Sequence, residues 1–203
     1  MSPYNIGCLA LKHHNPYFIS CTPLAVQELI LSTLSNCSEV QSNPLTKFKQ
    51  QKPLKGKKVC IIGRSNIVGM PLNLLLLQRH DASVKVCHSR TTESDLIDSV
   101  ADADIVVACC GVPTLVKGEW LKEGATVIDV GITYKDTTEN QAGCEIFGDV
   151  NFDEVTLQKV SKITPVPGGV GPMTITMLMN NVTHGWVRQN FDLILNDTVY
   201  RAL

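Results

Sequence analysis

A turn of small residues follows the first strongly apolar run of the chain and is typical of a site for phosphate groups. Gly63 permits a sharp turn, and Ser65 stands where a second glycine is usual. Val68 takes the third glycine position, and Gly69 then permits a close approach. Backbone N–H groups at the start of a helix after such a turn bind the pyrophosphate of a dinucleotide. The pattern therefore predicts a dinucleotide site, with a plain tight turn as the alternative.

The tip of the second apolar run carries hydroxyl and basic side chains in place of a carboxylate. NAD-preferring sites usually place Asp or Glu here to accept hydrogen bonds from the ribose 2′-hydroxyl. This chain has Ser89 and Arg90 at the tip, and Arg64 in the turn faces the same region in such folds. Guanidinium groups hold phosphate through paired, charge-assisted hydrogen bonds. These residues predict NADP as the cofactor; the alternative is that both arginines are solvated surface charges.

A second candidate region, Thr164–Thr174, has three prolines and three glycines in eleven residues. It combines rigidity with unusual backbone angles, and it opens a helix near Met173. A loop of this kind at the edge that carries the phosphate turn is expected to belong to the active site, with a structural hinge as the alternative. Asp129 ends another strand at this edge, where it is a catalytic carboxylate or, as we favour, an acceptor for backbone N–H groups.

The elements that must position these residues alternate between strands and helices. Short β-branched runs that are apolar throughout are typical of strands buried on both faces of a parallel sheet. Strands are predicted at 59–62, 84–87, 105–110, 126–130 and 163–166. Helices are predicted at 22–34, 68–79, 94–101, 153–160 and 173–190, a helical turn near 117–122, an irregular segment at 1–21, and a loop or short hairpin at 134–148. This order predicts a doubly wound α/β fold.

The composition excludes several classes of protein. The chain has 203 residues, a net charge of −1 and 44% hydrophobic residues, so it is neither a disordered tail nor a strongly basic nucleic-acid binder. No run reaches the roughly 18 apolar residues of a membrane helix. The eight cysteines include no Cys-x-x-Cys pair, which favours buried thiols in a reducing compartment. We expect a cytoplasmic protein that binds neither nucleic acid nor membrane and has no metal site.

Longer motifs resemble the methylenetetrahydrofolate dehydrogenase/methenyltetrahydrofolate cyclohydrolase family. The similar segments are PLKGKKVCIIGRS, GRSNIVGMP, VKVCHSRT, ADIVVACCGVP, GEWLKEGATVIDVGI, GDVNF and ITPVPGGVGPMT. The resemblance implies a Rossmann-type doubly wound parallel sheet packed against a second α/β domain, of which this chain holds a residual piece. It also implies oxidation of 5,10-methylenetetrahydrofolate with NADP and hydrolysis of the methenyl product.

The resemblance also assigns residues to the two candidate regions. The cofactor positions are Gly63, Arg64, Ser65, Ser89 and Ile132, to which the residue types alone add Arg90. The positions that border the folate and nicotinamide are Pro167, Gly168, Gly169, Val170, Gly171, Pro172, Met173, Thr174 and Ile175. A folate substrate and a homodimer that pairs sheet-edge strands complete the implied partners.

The chain departs from the family pattern in its first part. The family's Tyr-x-x-x-Lys motif, its Gln-Leu-Pro-Leu-Pro stretch and an Asp are not found in this sequence, so no catalytic residue is nominated. We expect the chain alone to be impaired, or to be a catalytically inactive NADP-binding or interaction module. In the second case an exposed stripe would join a partner through Val26, Leu29, Ile30 and Leu34. The predicted division is 1–54 (remnant and linker), 55–175 (NADP-binding domain) and 176–203 (helix and tail that pack on the N-terminal part).

Overall fold

The computed structural model describes residues 2–34, 53–136, 144–155 and 159–194. Most of the linker predicted between 35 and 58 and the end of the predicted C-terminal tail lie outside these residues. The helices are α1 Pro3–Ala10, α2 Cys21–Leu34, α3 Gly69–His80, α4 Glu93–Asp102 and α5 Val170–Ile194, with a 3₁₀ helix at Gly118–Trp120. The strands are β1 Lys58–Ile62, β2 Ser83–Cys87, β3 Ile105–Ala108, β4 Ala125–Asp129, β5 Thr133–Asp136, β6 Cys144–Phe147 and β7 Val160–Ile163.

Five strands form a parallel sheet in the order β2-β1-β3-β4-β7. In the register of the sheet, Val59 of β1 lies between Val84 of β2 and Ile105 of β3. The chain moves outward from β1 to β2 and then crosses to the other side of β1, so the topological switch point lies between β1 and β3. Ligands of open α/β sheets bind beside this point, at the carboxyl ends of the strands. The predicted fold class, a Rossmann-type doubly wound α/β fold, is confirmed.

The strands are buried on both faces because their successive side chains point to opposite layers. Val59 and Ile61 pack with α2, α3 and the start of α5, whereas Cys60 and Ile62 pack with α4 and the segment around Trp120. The stripe on α2 belongs to the first of these layers, since Val26 and Ile30 are fully buried. The prediction of exposure is therefore wrong for Val26 and Ile30, whereas Leu29 is partly buried and Leu34, at the end of α2, is exposed.

Three local predictions are corrected by the structure. The segment predicted to be irregular contains α1, which begins with a proline at its first position and packs on α3. The last strand of the sheet is Val160–Ile163 and not 163–166, because Pro165 has no N–H to give to a strand ladder. The described residues of the helix predicted at 153–160 form a turn at 152–154 and the start of β7.

Two segments pack outside the main sheet. Strands β5 and β6 pair as an antiparallel hairpin within the region predicted as a loop or short hairpin. Helix α5 begins at Val170, runs without interruption past residue 175 and packs against α2. The division of the chain into three parts stays a prediction. In the part of the chain that the structure describes, no helix is long and apolar enough to cross a membrane.

Candidate functional site

The turn after β1 is shaped by two glycines that lie against backbone. Gly63 has a φ of 129°, and a side-chain carbon on it would overlap the carbonyl oxygen of Cys109 in the loop after β3. A side-chain carbon on Gly69 would overlap the carbonyl oxygen of Gly63 itself. The first turn of α3 therefore lies directly on the phosphate turn, as the sequence predicts for Gly69. These close approaches place the turn at the topological switch point.

Ser65 connects the turn to the start of α3. Its hydroxyl oxygen accepts a hydrogen bond from the backbone N–H of Val68 at 3.1 Å, and its carbonyl oxygen accepts one from Met70 at 3.0 Å. A hydroxyl group can donate while it accepts, so Ser65 retains a donor for a ligand. The turn thus has the exposed backbone and the helix N-terminus that bind phosphate in dinucleotide folds.

A cavity of about 500 Å³, here called cavity one, opens beside this turn. It brings together four of the predicted cofactor residues, Gly63, Arg64, Ser65 and Ser89. Arg90 does not line it, and the Arg90 backbone N–H donates to Nδ1 of His88 within the turn after β2. The other lining residues are Ile62, His88, Thr91, Glu93, Leu96, Cys109, Cys110, Val112, Leu115 and Trp120.

Several of these lining residues, among them Glu93, Leu96 and Trp120, are not nominated as site residues by the sequence. Glu93 and Leu96 lie on α4, whose N-cap Thr92 accepts a hydrogen bond from the Asp95 N–H at 3.2 Å. This capping signal could have shown that α4 starts beside the tip of β2. Trp120 comes from the 3₁₀ helix, and no local pattern in the sequence places it at this edge.

Two adjacent thiols in the wall of cavity one are held in their neutral form. Burial, together with the neighbouring Cys110 and Asp149, raises the pKa of Cys109 to about 12. Burial likewise raises the pKa of Cys110 to about 11. A thiol is nucleophilic as the thiolate, so both cysteines act at neutral pH as wall residues and not as reactive groups. Both are free cysteines, in line with the prediction of thiols over disulfides.

A second cavity of about 580 Å³, here called cavity two, lies between the end of β4 and the loop that precedes α5. It joins Ile132 to the Pro-Gly loop, which contains a cis peptide bond between Val166 and Pro167. Of the predicted loop residues, Met173 packs against the core, while the others line the cavity. They are Pro167, Gly168, Gly169, Val170, Gly171, Pro172, Thr174 and Ile175.

The chemistry available in cavity two is limited. Besides the loop and Ile132, its walls include Thr22, Val68 and Asp129, and no lysine, histidine or tyrosine is among the described residues that line it. The cavity therefore offers shape, backbone groups and hydroxyls to a ligand. The carboxylate of Asp129 accepts hydrogen bonds from backbone N–H groups and is not free to bind a ligand.

Asp129 is buried and is surrounded by backbone donors. Its Oδ1 accepts hydrogen bonds from Gly131 at 3.0 Å and Asp149 at 2.9 Å, and its Oδ2 accepts one from Val150 at 2.9 Å. Burial raises the pKa of this carboxyl group more than the three N–H donors lower it. The prediction that Asp129 serves backbone N–H groups is confirmed.

A match to a family sequence profile identifies the family of this chain. Residues 37–190 match the profile described as "Tetrahydrofolate dehydrogenase/cyclohydrolase, NAD(P)-binding domain". The chain belongs to the tetrahydrofolate dehydrogenase/cyclohydrolase family. The predicted family and the predicted use of a nicotinamide dinucleotide are thereby confirmed.

Individual relatives agree with this membership in the tetrahydrofolate dehydrogenase/cyclohydrolase family. "Bifunctional protein FolD 1, mitochondrial" of Arabidopsis thaliana is 46% identical over 179 residues, which are 88% of this chain and 45% of that protein. Mitochondrial C-1-tetrahydrofolate synthase of Saccharomyces cerevisiae is 45% identical over 92% of this chain and 17% of its own length. The chain thus spans about half, or less, of the length of these curated relatives.

A solved structure of the tetrahydrofolate dehydrogenase/cyclohydrolase family has the same fold. The Trypanosoma brucei N5,N10-methylenetetrahydrofolate dehydrogenase-cyclohydrolase, complexed with NADP cofactor and inhibitor, superposes with a TM-score of 0.78 at 39% identity. The match covers 93% of this chain and 57% of that one. The roles assigned to the individual residues of the two cavities stay predictions.

Proposed function

We propose that this chain binds NADP and provides the cofactor half of a 5,10-methylenetetrahydrofolate dehydrogenase/5,10-methenyltetrahydrofolate cyclohydrolase. The observation that carries the proposal is the placement of two cavities along one carboxyl edge of the sheet. Cavity one contains the phosphate turn and the basic side chain of Arg64, and cavity two contains the Pro-Gly loop from Pro165 to Gly169 and the start of α5 up to Ile175. The names of the relatives, which are bifunctional FolD proteins, support the reaction.

The preference for NADP rests on Arg64 and Ser89, which both line cavity one. Neither side chain is a carboxylate, and together they offer a cation and a hydroxyl to a ribose 2′-phosphate. Glu93 also lines this cavity, but it starts α4, where the positive end of the helix dipole stabilises its charge. The net effect that we propose is selection of the phosphorylated ribose.

In the proposed mechanism, NADP supplies the hydride acceptor and the chain supplies orientation. Ile132 and the Pro-Gly loop hold the reacting groups in contact and exclude water from cavity two, which is the main requirement of hydride transfer. Hydrolysis of the methenyl product also needs a group that moves protons. Because cavity two has no free group of this kind among its described lining residues, we propose that another segment supplies it.

Isothermal titration calorimetry with NADP and NAD tests the cofactor assignment. We expect Arg64→Gln and Ser89→Ala to raise the dissociation constant for NADP about tenfold or more, because each removes a partner of the 2′-phosphate. The constant for NAD should change less than about threefold. The control is Arg188→Gln, which also removes one positive charge but lies on α5 and lines neither cavity. It should change neither dissociation constant. Equal losses for NADP and NAD would contradict the assignment.

A second assay separates the dehydrogenase from a binding module. Incubation with 5,10-methylenetetrahydrofolate and NADP should produce NADPH, followed by its absorbance, at an enzymatic rate of about 1–10³ s⁻¹ when the proton-transfer segment is present. A chain that binds NADP and forms no NADPH in its native full-length state would be the inactive module of the alternative prediction.

We also propose a cytoplasmic homodimer that pairs edge strands of the sheet. Strand β2 lies at one edge and leaves backbone groups on its outer side for a second copy. Light scattering coupled to gel filtration would give the oligomeric state, and fluorescence imaging of the tagged full-length protein in its host would give the compartment.

A further inference from the structure

The two cavities are connected by a pair of buried aspartates, Asp129 and Asp149, here called the carboxylate pair. Asp129 is 3% exposed and Asp149 is fully buried. Asp149 uses its Oδ2 to accept hydrogen bonds from the backbone N–H groups of Cys110 at 2.7 Å and Gly111 at 2.9 Å. Its own backbone N–H donates to Oδ1 of Asp129. Through its side chain and its backbone, Asp149 thus links the loop after β3 to Asp129 at the end of β4.

The loops that the carboxylate pair bonds to lead to the two cavities. Cys110 lines cavity one, and Gly131, whose N–H also donates to Asp129, lines cavity two. The backbone N–H of Asp129 donates to the hydroxyl of Thr164 at 2.8 Å, directly before the Pro-Gly loop. Both sides of the site thus depend on the same two carboxylates.

One oxygen of the carboxylate pair is buried without a partner. Oδ1 of Asp149 has no hydrogen-bond partner among the described residues, although it is buried. An unpaired buried polar atom is destabilising and calls for a specific reason. Gly131 has no side chain at the point where this oxygen lies, and Gly148 leaves the same space for Oδ2 of Asp129. The fold accommodates both carboxylates closely, at the carboxyl edge where the cofactor binds.

We propose that Asp129 and Asp149 are positioning residues that hold the two cavities in register for a single dinucleotide. Occupation of cavity one then orders cavity two, so the nicotinamide half of the cofactor binds to a preformed site and loses less freedom. This inference rests on the proposed function, since it requires that NADP spans both cavities.

The same substitution, Asp to Asn, should disturb the hydrogen bonds at position 129 and preserve them at position 149. In Asp129→Asn one of two accepting oxygens becomes an NH₂ group that faces a backbone N–H, because both oxygens of Asp129 accept. In Asp149→Asn the amide oxygen can keep both bonds to Cys110 and Gly111, and the NH₂ takes the unpartnered position. The second variant is the matched control for the first.

The readout is the ratio of two affinities, measured by calorimetry on the chain and its variants. The probes are NADP and adenosine 2′,5′-bisphosphate, which carries only the half that cavity one would hold. In Asp129→Asn the advantage of NADP over the fragment should fall about tenfold, whereas in Asp149→Asn it should stay within about twofold. A purely structural role would weaken both probes in proportion and leave the ratio unchanged in both variants, which would overturn the inference.

Failure of the proposed function gives a different result. A native protein that binds neither probe overturns the proposed function and this inference with it. A native protein that binds both probes, with the same ratio in Asp129→Asn, overturns the inference alone.

Amide hydrogen exchange tests the same link without any substitution. Adenosine 2′,5′-bisphosphate added to the unmodified protein should slow exchange at Gly131 and Val150, whose N–H groups donate to Asp129 and which do not line cavity one. Protection confined to the turn at Gly63 and the tip at Ser89 would overturn the proposal, even if Asp129→Asn did not fold.

Discussion

Cavity one and cavity two lie along the same edge of the sheet but are lined by different kinds of groups. Cavity one has a largely apolar wall and presents Arg64, Ser89 and Glu93, which offer charge and hydrogen bonding to a ligand. Cavity two is enclosed by the Pro-Gly loop and by the end of β4, and its one carboxylate serves the backbone. The first can therefore select a ligand, whereas the second can mainly orient one.

This difference predicts which kinds of substitution each cavity tolerates. Specificity in cavity one resides in side chains that extend into solvent, and these can change without disturbing the fold. The shape of cavity two resides in backbone conformation, so the addition of a single methyl group can be more harmful than a change of charge. The following substitutions and measurements test this contrast.

The largest effect is expected for Gly63→Ala, which changes the backbone of cavity one and not its rim. The new methyl group would overlap the Cys109 carbonyl at a φ that L residues rarely adopt, so the free energy of unfolding should fall by about 2 kcal/mol or more. NADP binding should be lost with it. Gly124→Ala is the control, since Gly124 has a φ of 75° and open space around it. Urea denaturation should show a loss of about 1 kcal/mol there.

A smaller effect is expected for Gly169→Ala in the loop of cavity two. Its methyl group would lie 2.5 Å from the Pro165 carbonyl oxygen, and we expect a loss of about 1–3 kcal/mol in the free energy of unfolding. Gly171→Ala, two residues later, meets no neighbouring atom within 4 Å and lies in α5, where alanine is favoured. Denaturation of both variants is the measurement, and equal stability would show that the loop tolerates side chains and would remove the contrast.

The thiols of cavity one should be slow to react in spite of their position at a ligand site. With pKa values of about 12 for Cys109 and about 11 for Cys110, very little thiolate is present at neutral pH. Iodoacetamide should alkylate both about a hundredfold more slowly than a free cysteine does, as quantified by mass spectrometry of the peptides. Rapid labelling at pH 7 would mean that cavity one contains a nucleophile in addition to its binding groups.

The smallest effect concerns the pH dependence of stability at Asp129. The pKa of Asp129 is raised in the folded state. At a pH just above the usual Asp pKa of about 3.9, the folded protein therefore binds more protons than the unfolded chain. Stability from this group is complete below that value and is lost as the pH rises through the folded pKa. Relative to Asp129→Asn, the native protein should therefore lose stability with rising pH in this window, as measured by urea denaturation. An opposite slope would mean that the N–H donors outweigh burial.

The sequence alone was sufficient for the parts of the fold that local patterns determine. Strands β1 to β4 lie close to their predicted positions because uninterrupted β-branched runs are typical of buried parallel strands. Helix α1 was missed because eight residues that contain a glycine and start with proline depend on packing for their stability. The last strand was placed too late, since its apolar pattern continues through Pro165 into the loop.

The candidate site was predictable where it follows a strand directly. Gly63, Arg64 and Ser65 could be found because they continue β1, and Ser89 because it follows β2. Asp149 stands in the GDVNF motif, yet its role depends on bonds to Cys110 and Gly111, 39 and 38 residues away. No periodicity or spacing in the sequence encodes such a contact.

Each aspartate of the carboxylate pair lies against a glycine beside the other aspartate, and this packing limits which substitutions the protein can accept during evolution. Asp129 lies in the space left by Gly148, and Asp149 lies in the space left by Gly131, so the four residues form one interlocked unit. A side chain at either glycine is accommodated only if the facing aspartate changes as well, and a designer who transplants the site has to transplant both short motifs, Asp-Val-Gly and Gly-Asp-Val. The hairpin between the two motifs is held at both ends, which makes it the place where insertions can accumulate without moving the cofactor site.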